Sequence, residues 1–462
     1  MGKENIRGKL SLDELKEDIR SERISTVIVA FPDLYGRLMG KRVTGEFFLE
    51  HVLDHGLHVC SYLLATDIEM ELVPGYCLSG WNTGYGDIVL VPDLDTLRRA
   101  SWLPRTAIVL ADVEGGKLSH IAPRTILKRQ LVRANDMDIL PLGATEMEMF
   151  LFRESYDEAR LKGYRDLRSL GDYIEDYHIL QTSREEPLIG AIREHLMASG
   201  IPVESSKGEY GPGQHEINIR YSDILEAADR TVLFKEICKE IALEKGRSIT
   251  FMAKWDEGMS GNSMHIHLSL WDREGRNLFL GNERINGIPA GVSRIFKHFL
   301  GGLIAYAREL ALFFAPTVNS YKRYRAGSFA PTRIVWGYDN RSAGFRVVGG
   351  GKNSFRIECR LPGADANPYL AFAALLAAGM DGIEKGIAPP PSVTGDAYIL
   401  EDVPQVPRSL EEALVLFRES EFVRRIFGDL VVEHYSRFAE AELEAYRAVV
   451  TDWERIRYFE RI

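Results

Sequence analysis

The 462-residue chain predicts a mixed α+β fold in two parts. Three observations carry this. β-branched apolar runs gather before residue 115, a polar glycine-bearing stretch (115–120, GGKLSH) interrupts them, and beyond it helical periodicities alternate with strand-like segments. The boundary falls near residue 118, which gives an N-terminal domain over 1–118 and a larger domain over 119–462.

Residues 9–22 place Leu12, Leu15 and Ile19 on one side of an amphipathic helix. Ser25–Phe31 (STVIVAF) reads as a strand, PDLYGR as a turn, and Leu38–Val43 as the strand that returns from it. Gly84–Val91 and Thr106–Val113 read as further strands. After the boundary, Ala122–Asn135 reads as a helix and Leu140–Phe152 alternates as a strand. Leu225–Lys245 is a helix, Ile295–Phe314 a largely apolar core helix, and Pro368–Gly379 a helix of small residues. Leu410–Ile426 and Tyr435–Arg457 close the chain as helices, and Pro389–Pro391 is a rigid connector.

Composition excludes several classes. With 45% hydrophobic and 27% charged residues the chain is an ordinary globular protein. A net charge of −10 argues against a nucleic-acid partner. Cys60, Cys77, Cys238 and Cys359 are widely spaced, with no CxxC pair, and read as reduced thiols of a cytoplasmic protein. The N-terminus has no apolar signal region, and the MG start lacks the Ser or Thr of a myristoylation signal. The longest apolar stretch, Tyr369–Met380, is too short to span a bilayer, so no membrane partner is expected.

Five constellations carry chemistry. In Glu146-Met147-Glu148 the two carboxylates share one strand face between apolar neighbours. Like charges that close call for a cation, or else mark a solvated face. Glu209 and Glu216 bracket a Pro/Gly turn able to fold both onto one spot, though surface loops carry the same residues. His265 and His267 share a strand face after Gly261-Asn262-Ser263; such a pair binds metal or simply packs. Arg356, Glu358 and Arg360 also alternate, either as an ion-pair ladder or as a metal ligand beside two phosphate-binding guanidiniums. Arg323, Arg341 and Arg346 add cationic charge nearby, as surface groups or as an anion pocket. Carboxylates with one or two imidazoles and no thiolate favour Mg²⁺ or Mn²⁺. Two such ions among arginines form a phosphoryl-transfer composition.

These segments, in this order, resemble the glutamine synthetase family from about residue 24 to residue 385. ATEMEMF, ESSKGEYGPGQHEI, GNSMHIHLSLW, NSYKR with NRS…R, and FRIECRLPGADANPYLAFAALLAAG are each similar to a family signature, and PDLYGRLMGKRV to its small N-terminal domain. The resemblance implies a β-grasp N-terminal domain and a catalytic domain with a curved antiparallel sheet backed by helices. Glu148, Glu209 and Glu216 would hold a first metal; Glu146, His265 and Glu358 would hold a second that bridges the ATP phosphates. His267 would touch those phosphates, with Tyr221, Ser269, Trp271 and Arg356 around the nucleotide. Arg341 and Arg346 would stabilise the transferring phosphoryl group. Arg323 and Arg360 would clamp glutamate near the Gly261 backbone, and Asp33 would reach a neighbouring subunit's site to receive ammonium. Glutamate would attack ATP to give γ-glutamyl phosphate, and an amine would then displace phosphate. Family members form double rings, commonly of twelve subunits, with sites between subunits.

Three features separate this chain from ammonium-using members. Where those carry a flap glutamate, Phe329 stands in Gly327-Ser-Phe-Ala-Pro331, and no acid occurs from Ala311 to Gly337. Ser260 replaces an asparagine before Gly261, and TRIVWGYDNRS reads with the γ-glutamylamine-ligase branch. Phe329 favours a monoamine with an apolar body. The expected function is therefore γ-glutamylamide synthesis from glutamate, ATP and an organic amine, most simply in amine catabolism. A glutamine synthetase with an altered flap, a silent paralogue, and a guanidino-type phosphotransferase are the competing readings. Tyr398 lies near where some members carry an adenylylated tyrosine, in surroundings that match poorly.

Overall fold

The structure is a computed structural model that describes residues 6–285 and 287–462. The MG start read for acylation lies outside the described residues. Two sheets organise the chain. The first contains β1 (Thr26–Pro32), β2 (Leu38–Thr44), β3 (Leu57–Cys60), β4 (Asp87–Pro92), β5 (Arg98–Arg99) and β6 (Thr106–Glu114), in the order β2-β1-β6-β4-β3 with β5 on β6. The expected hairpin forms, with Thr26 opposite Thr44 and Pro32 opposite Leu38. Its β1 also pairs in parallel with β6, a long-range contact that local pattern does not announce.

A 3₁₀ segment over Gly116–Ile121 and a helix begun by Pro123 lead to the second sheet. This comprises β7 (Leu140–Phe152), β8 (Val203–Gly208), β9 (Gln214–Ile219), β10 (Ser222–Asp223), β11 (Ser248–Thr250), β12 (Met264–Trp271), β14 (Trp336–Tyr338), β15 (Phe345–Val348) and β16 (Arg356–Cys359). A short β13 (Leu280–Glu283) lies outside it. The order is β14-β15-β16-β12-β7-β9-β8, with β10 and β11 also on β7. Helices Pro123–Asn135 and Ile224–Glu244 pack on β7, and helix Pro368–Lys385 packs on both. That last helix is buried throughout Pro368–Gly382, so small residues are required where it crosses helix Arg294–Tyr306. A Cβ on Gly302 would lie 2.1 Å from the Ala378 carbonyl oxygen, and one on Gly382 2.2 Å from that of His298.

Several helices differ from their sequence pattern. Ile295–Phe314 is two helices, Arg294–Tyr306 and Ala311–Phe314. No proline or glycine marks the break; burial of Ala307 and Leu310 overrides good local propensity. Leu410–Ile426 divides at Ser420, whose extended backbone and hydroxyl cap a second helix through the Val423 amide. Tyr435–Arg457 begins earlier, at Asp429 after Gly428 (φ +88°), and stops at Ala448. A Thr451–Glu454 capping box then opens the helix Asp452–Tyr458. Helix Ile179–Ala198, with Pro187 inside it, and strand β8 were not distinguished in the sequence pattern.

The two parts share one apolar core, and polar contacts also join them. Buried Arg124 joins Asp112 and Asp93 of the first part to Asp229 of the second at 2.6–3.0 Å. Asn367 Nδ2 donates to the carbonyl oxygens of Asp33 and Leu34 at 3.1 Å.

Candidate active site

Register brings the candidate ligands together. In an antiparallel pair, directly opposed residues share a face. Glu146 lies opposite His265 of β12 on one side and Asn218 of β9 on the other. Glu148 lies opposite Glu216. Glu358 lies opposite His267 of β12 and Arg346 of β15. These rows all occupy one face of the second sheet, and a cavity of about 670 Å³ opens onto it. Its lining includes Glu146, Glu148, Glu209, Glu216, both histidines, Arg341, Arg346, Arg356, Arg360 and Phe329.

Glu148, Glu209 and Glu216 offer oxygens within 4.8 Å of one another. Carboxylates that close repel by roughly 3 kcal/mol at an effective dielectric near 20. Burial and the charge of Glu209 push the Glu148 carboxyl up to about 8. Burial and the charge of Glu146 push Glu216 up to about 11. The Ser263 amide donates to Glu148 at 2.7 Å and fixes its orientation. A hard divalent cation would relieve this repulsion, and the oxygen donor set suits one.

The second group centres on Glu146 and Glu358. Glu358 is fully buried, which opposes its charge, yet Arg360 and both histidines hold its pKa down at about 2. Arg346 Nη1 donates to its Oε2 at 2.8 Å, and Arg360 Nη1 donates to Oε1. His265 Nδ1 lies 3.2 Å from Glu146 and 3.6 Å from Glu358. Burial, then Arg360, hold His265 down at about 4, so its ring is neutral and able to donate a lone pair. His267 Nε2 lies 3.1 Å from Glu146, while its Nδ1 accepts from Arg356 Nε at 3.0 Å. Atoms of Glu146, His267 and Glu358 also converge within 4.8 Å, so both imidazoles border this group. The donor set fits Mg²⁺ or Mn²⁺, since Cys359, the nearest thiol in sequence, is buried and no thiolate joins the group.

A second cavity of about 280 Å³ adjoins the first and shares Glu146, Asn218, His267 and Arg356 with it. Tyr221, Ser269 and Trp271 line it, with Trp271 Nε1 donating to Ser269 Oγ at 2.8 Å. The structure thus gathers the residues expected around a nucleotide into one space beside the carboxylates.

Gly261 stands where a side chain has no room: a Cβ there would lie 2.6 Å from Arg323 Cγ and 2.7 Å from the Ala253 carbonyl oxygen. Gln214 Nε2 ties the turn after Glu209 to this loop, donating to the Gly261 carbonyl at 2.9 Å and to Asn262 Oδ1 at 3.0 Å.

Arg323 and Asp33 are engaged by other groups of this chain. Arg323 is buried, and its guanidinium donates to the Leu361 and Arg360 carbonyls at 2.9 and 2.8 Å and to Ser263 Oγ at 3.1 Å. It braces the loop behind the site and does not line the cavity. Asp33 is 2% exposed. Its carboxylate accepts from the Tyr35 and Arg37 amides at 2.9 and 2.8 Å and from Arg37 Nε at 2.7 Å. Within this chain the β1–β2 turn engages the acid through these three bonds.

The rim was less legible. Phe329 is 55% exposed and holds a left-handed backbone (φ +58°), unusual for a bulky residue. Its ring meets Tyr210 edge-on at 6.5 Å, and its carbonyl accepts from Arg360 Nη2 at 3.4 Å. Tyr177, also left-handed (φ +67°), lines the same mouth with Asp176 and Ile179. Sequence reading missed Tyr177, Asp176, Tyr210 and Lys207. Of these, Tyr210 and Lys207 lie inside the quoted ESSKGEYGPGQHEI motif, so proximity to Glu209 was the available signal.

Comparison with known proteins places this geometry. The family model described as glutamine synthetase, catalytic domain, matches residues 120–458. A γ-glutamylethanolamide synthetase of Streptomyces coelicolor is 46% identical over 98% of this chain and 96% of its own length. A glutamate–isopropylamine ligase of a Pseudomonas species is 36% identical over the whole of both chains. The solved structure of a GmaS/ADP complex superposes with a TM-score of 0.84 at 30% identity, covering 96% of this chain and 99% of that one. The chain belongs to the glutamine synthetase family, on the side of its γ-glutamylamine ligases.

Proposed function

We propose that this protein is an ADP-forming γ-glutamylamide synthetase that joins the γ-carboxyl of glutamate to a small primary monoamine. Ethanolamine and isopropylamine, named for its relatives, bracket the class. The observation that carries the amine assignment is Phe329 in the cavity lining, with Tyr210 beside it and Tyr177 lining the same cavity. An aromatic rim offers an alkyl body dispersion contacts and an ammonium head a π face, and offers ammonia no charge to attract it.

The residues divide the work as follows. Tyr221, Ser269, Trp271, His267 and Arg356 bind the nucleotide in the smaller cavity. Arg346, held by Glu358 and Asp339, and Arg341, which makes no ion pair among the described residues, face the transferring phosphoryl group. Their fixed positive charge meets the charge that gathers on its oxygens. Arg360 lies between Glu358 and the Phe329 carbonyl, in reach of a carboxylate substrate in the cavity. Two Mg²⁺ or Mn²⁺ ions, one held by Glu148, Glu209 and Glu216 and one by Glu146, Glu358 and His265, would supply charge neutralisation along the phosphates. The attacking amine must lose a proton. Asp176 lines the cavity, belongs to neither carboxylate group, and is the acceptor this geometry offers.

Assembly into a double ring, commonly of twelve subunits, is part of this reading. Trp453, Ile456, Phe459 and Ile462 of the C-terminal segment are exposed, an apolar surface suited to burial against another copy. A cytoplasmic location accords with four unpaired cysteines. Among the described residues, no helix is long and apolar enough to cross a membrane.

The test is phosphate release from ATP and glutamate with ammonium, ethanolamine, isopropylamine and putrescine in parallel. The monoamines should release phosphate well above ammonium and putrescine. Turnover with ammonium equal to or above every amine refutes the assignment.

A further inference from the structure

Lys207 faces the Glu148/Glu209/Glu216 group. Lys207 Nζ pairs with Glu209 and lies 3.9 Å from Glu216, with the Tyr177 ring 4.6 Å away on another side. Its placement is a consequence of register. Val203 of β8 lies opposite Ile219, but Ser205 lies opposite Asn218, so Glu204 is an inserted residue. The insertion sets Lys207 opposite Glu216, which lies in turn opposite Glu148. In an unbroken ladder Lys207 would face His215, on the other side of the sheet. Lys207, Glu216 and Glu148 therefore form one row across three strands, with four-fifths of the lysine side chain buried.

We propose that Lys207 is a tethered counter-ion that competes with a divalent metal for Glu209, so that the chain itself limits how tightly its first cage takes the free ion. This rests on the metal reading of the three glutamates given above. An ammonium and a divalent cation cannot share the same carboxylate oxygens without strong mutual repulsion. The flexible stem of lysine lets the ammonium withdraw, and the Tyr177 face gives it a place to rest at the mouth. Without Lys207 the three carboxylates would hold metal more tightly, and the cage without metal would lose the cation paired with Glu209.

The experiment measures binding of Mn²⁺ alone to the full-length protein at neutral pH, by the loss of the free-ion paramagnetic resonance signal. Wild type, Lys207→Met, Lys207→Gln and Lys207→Arg are compared, with Glu148→Gln to identify the site. The Met and Gln variants should bind on the order of tenfold more tightly than wild type at the Glu148-dependent site, and the Arg variant should not. Either neutral variant suffices should the other disturb packing on Tyr177. Equal or weaker binding by the neutral variants overturns the competition while leaving the metal reading intact. No Glu148-dependent Mn²⁺ binding in any of them overturns both.

Discussion

Glu148 and Glu216 face each other across β7 and β9, two buried carboxylates in direct cross-strand register on the cavity face. Their protons hold on up to about 8 and about 11, whereas an unfolded glutamate releases its proton near 4.5. The native state therefore binds more protons than the unfolded chain over that interval. Stability without metal is greatest at the acidic end and falls as pH rises from about 4.5 toward 8. Divalent metal reverses the trend, because it binds the ionised pair and displaces the protons. Thermal melts between about pH 6 and pH 8 should show a Mn²⁺-induced rise in Tm that grows with pH and disappears with chelator. A rise that is independent of pH counts against the paired-carboxylate cage.

In the proposed function Phe329 selects the nucleophile. Phe329→Glu places an acid at the rim, where it can draw ammonium and take its proton. Ammonium-dependent phosphate release should increase several-fold, while kcat/KM for ethanolamine should fall by about tenfold or more as the apolar wall is lost. Unchanged selectivity in a folded variant would remove Phe329 from the account.

Asp33 holds a turn together. Asp33→Asn keeps the size but weakens three charge-assisted bonds, two of them to backbone amides. A loss of about 1–3 kcal/mol in stability is expected, with activity per folded molecule largely kept. Full stability with lost activity would support the role in a neighbouring subunit that the sequence suggests.

Asp176 should matter to proton removal and not to phosphoryl transfer. Asp176→Asn should lower kcat with ethanolamine by about 10²-fold. Turnover with hydroxylamine, already a neutral nucleophile near pH 7, should change far less. An equal loss with both nucleophiles would make Asp176 a structural residue.

How much of this was legible follows from the physics of each element. Alternation of period two places Glu146 with Glu148, His265 with His267, and Arg356 with Glu358 and Arg360, whatever the partner strands are. The ligand-bearing strands were therefore readable from local pattern. Register is set between segments, so the facing of Lys207 and Glu216, which depends on one inserted residue at Glu204, was not. The fates of Asp33 and Arg323 were hidden for a related reason. A charged side chain looks available in sequence until the turn or carbonyls that claim it are in place. Helix breaks went unread both where caps mark them, at Ser420 and Thr451, because apolar periodicity continues across each cap, and at 307–310, where burial alone redirects the chain.

The central claim is a preference between two nucleophiles, and a competition measures it directly. Enzyme, glutamate, ATP and Mg²⁺ are given ethanolamine and ammonium at equal concentration, and both products are counted by mass spectrometry. γ-Glutamylethanolamide should greatly outweigh glutamine. Glutamine in equal or larger amount contradicts that preference.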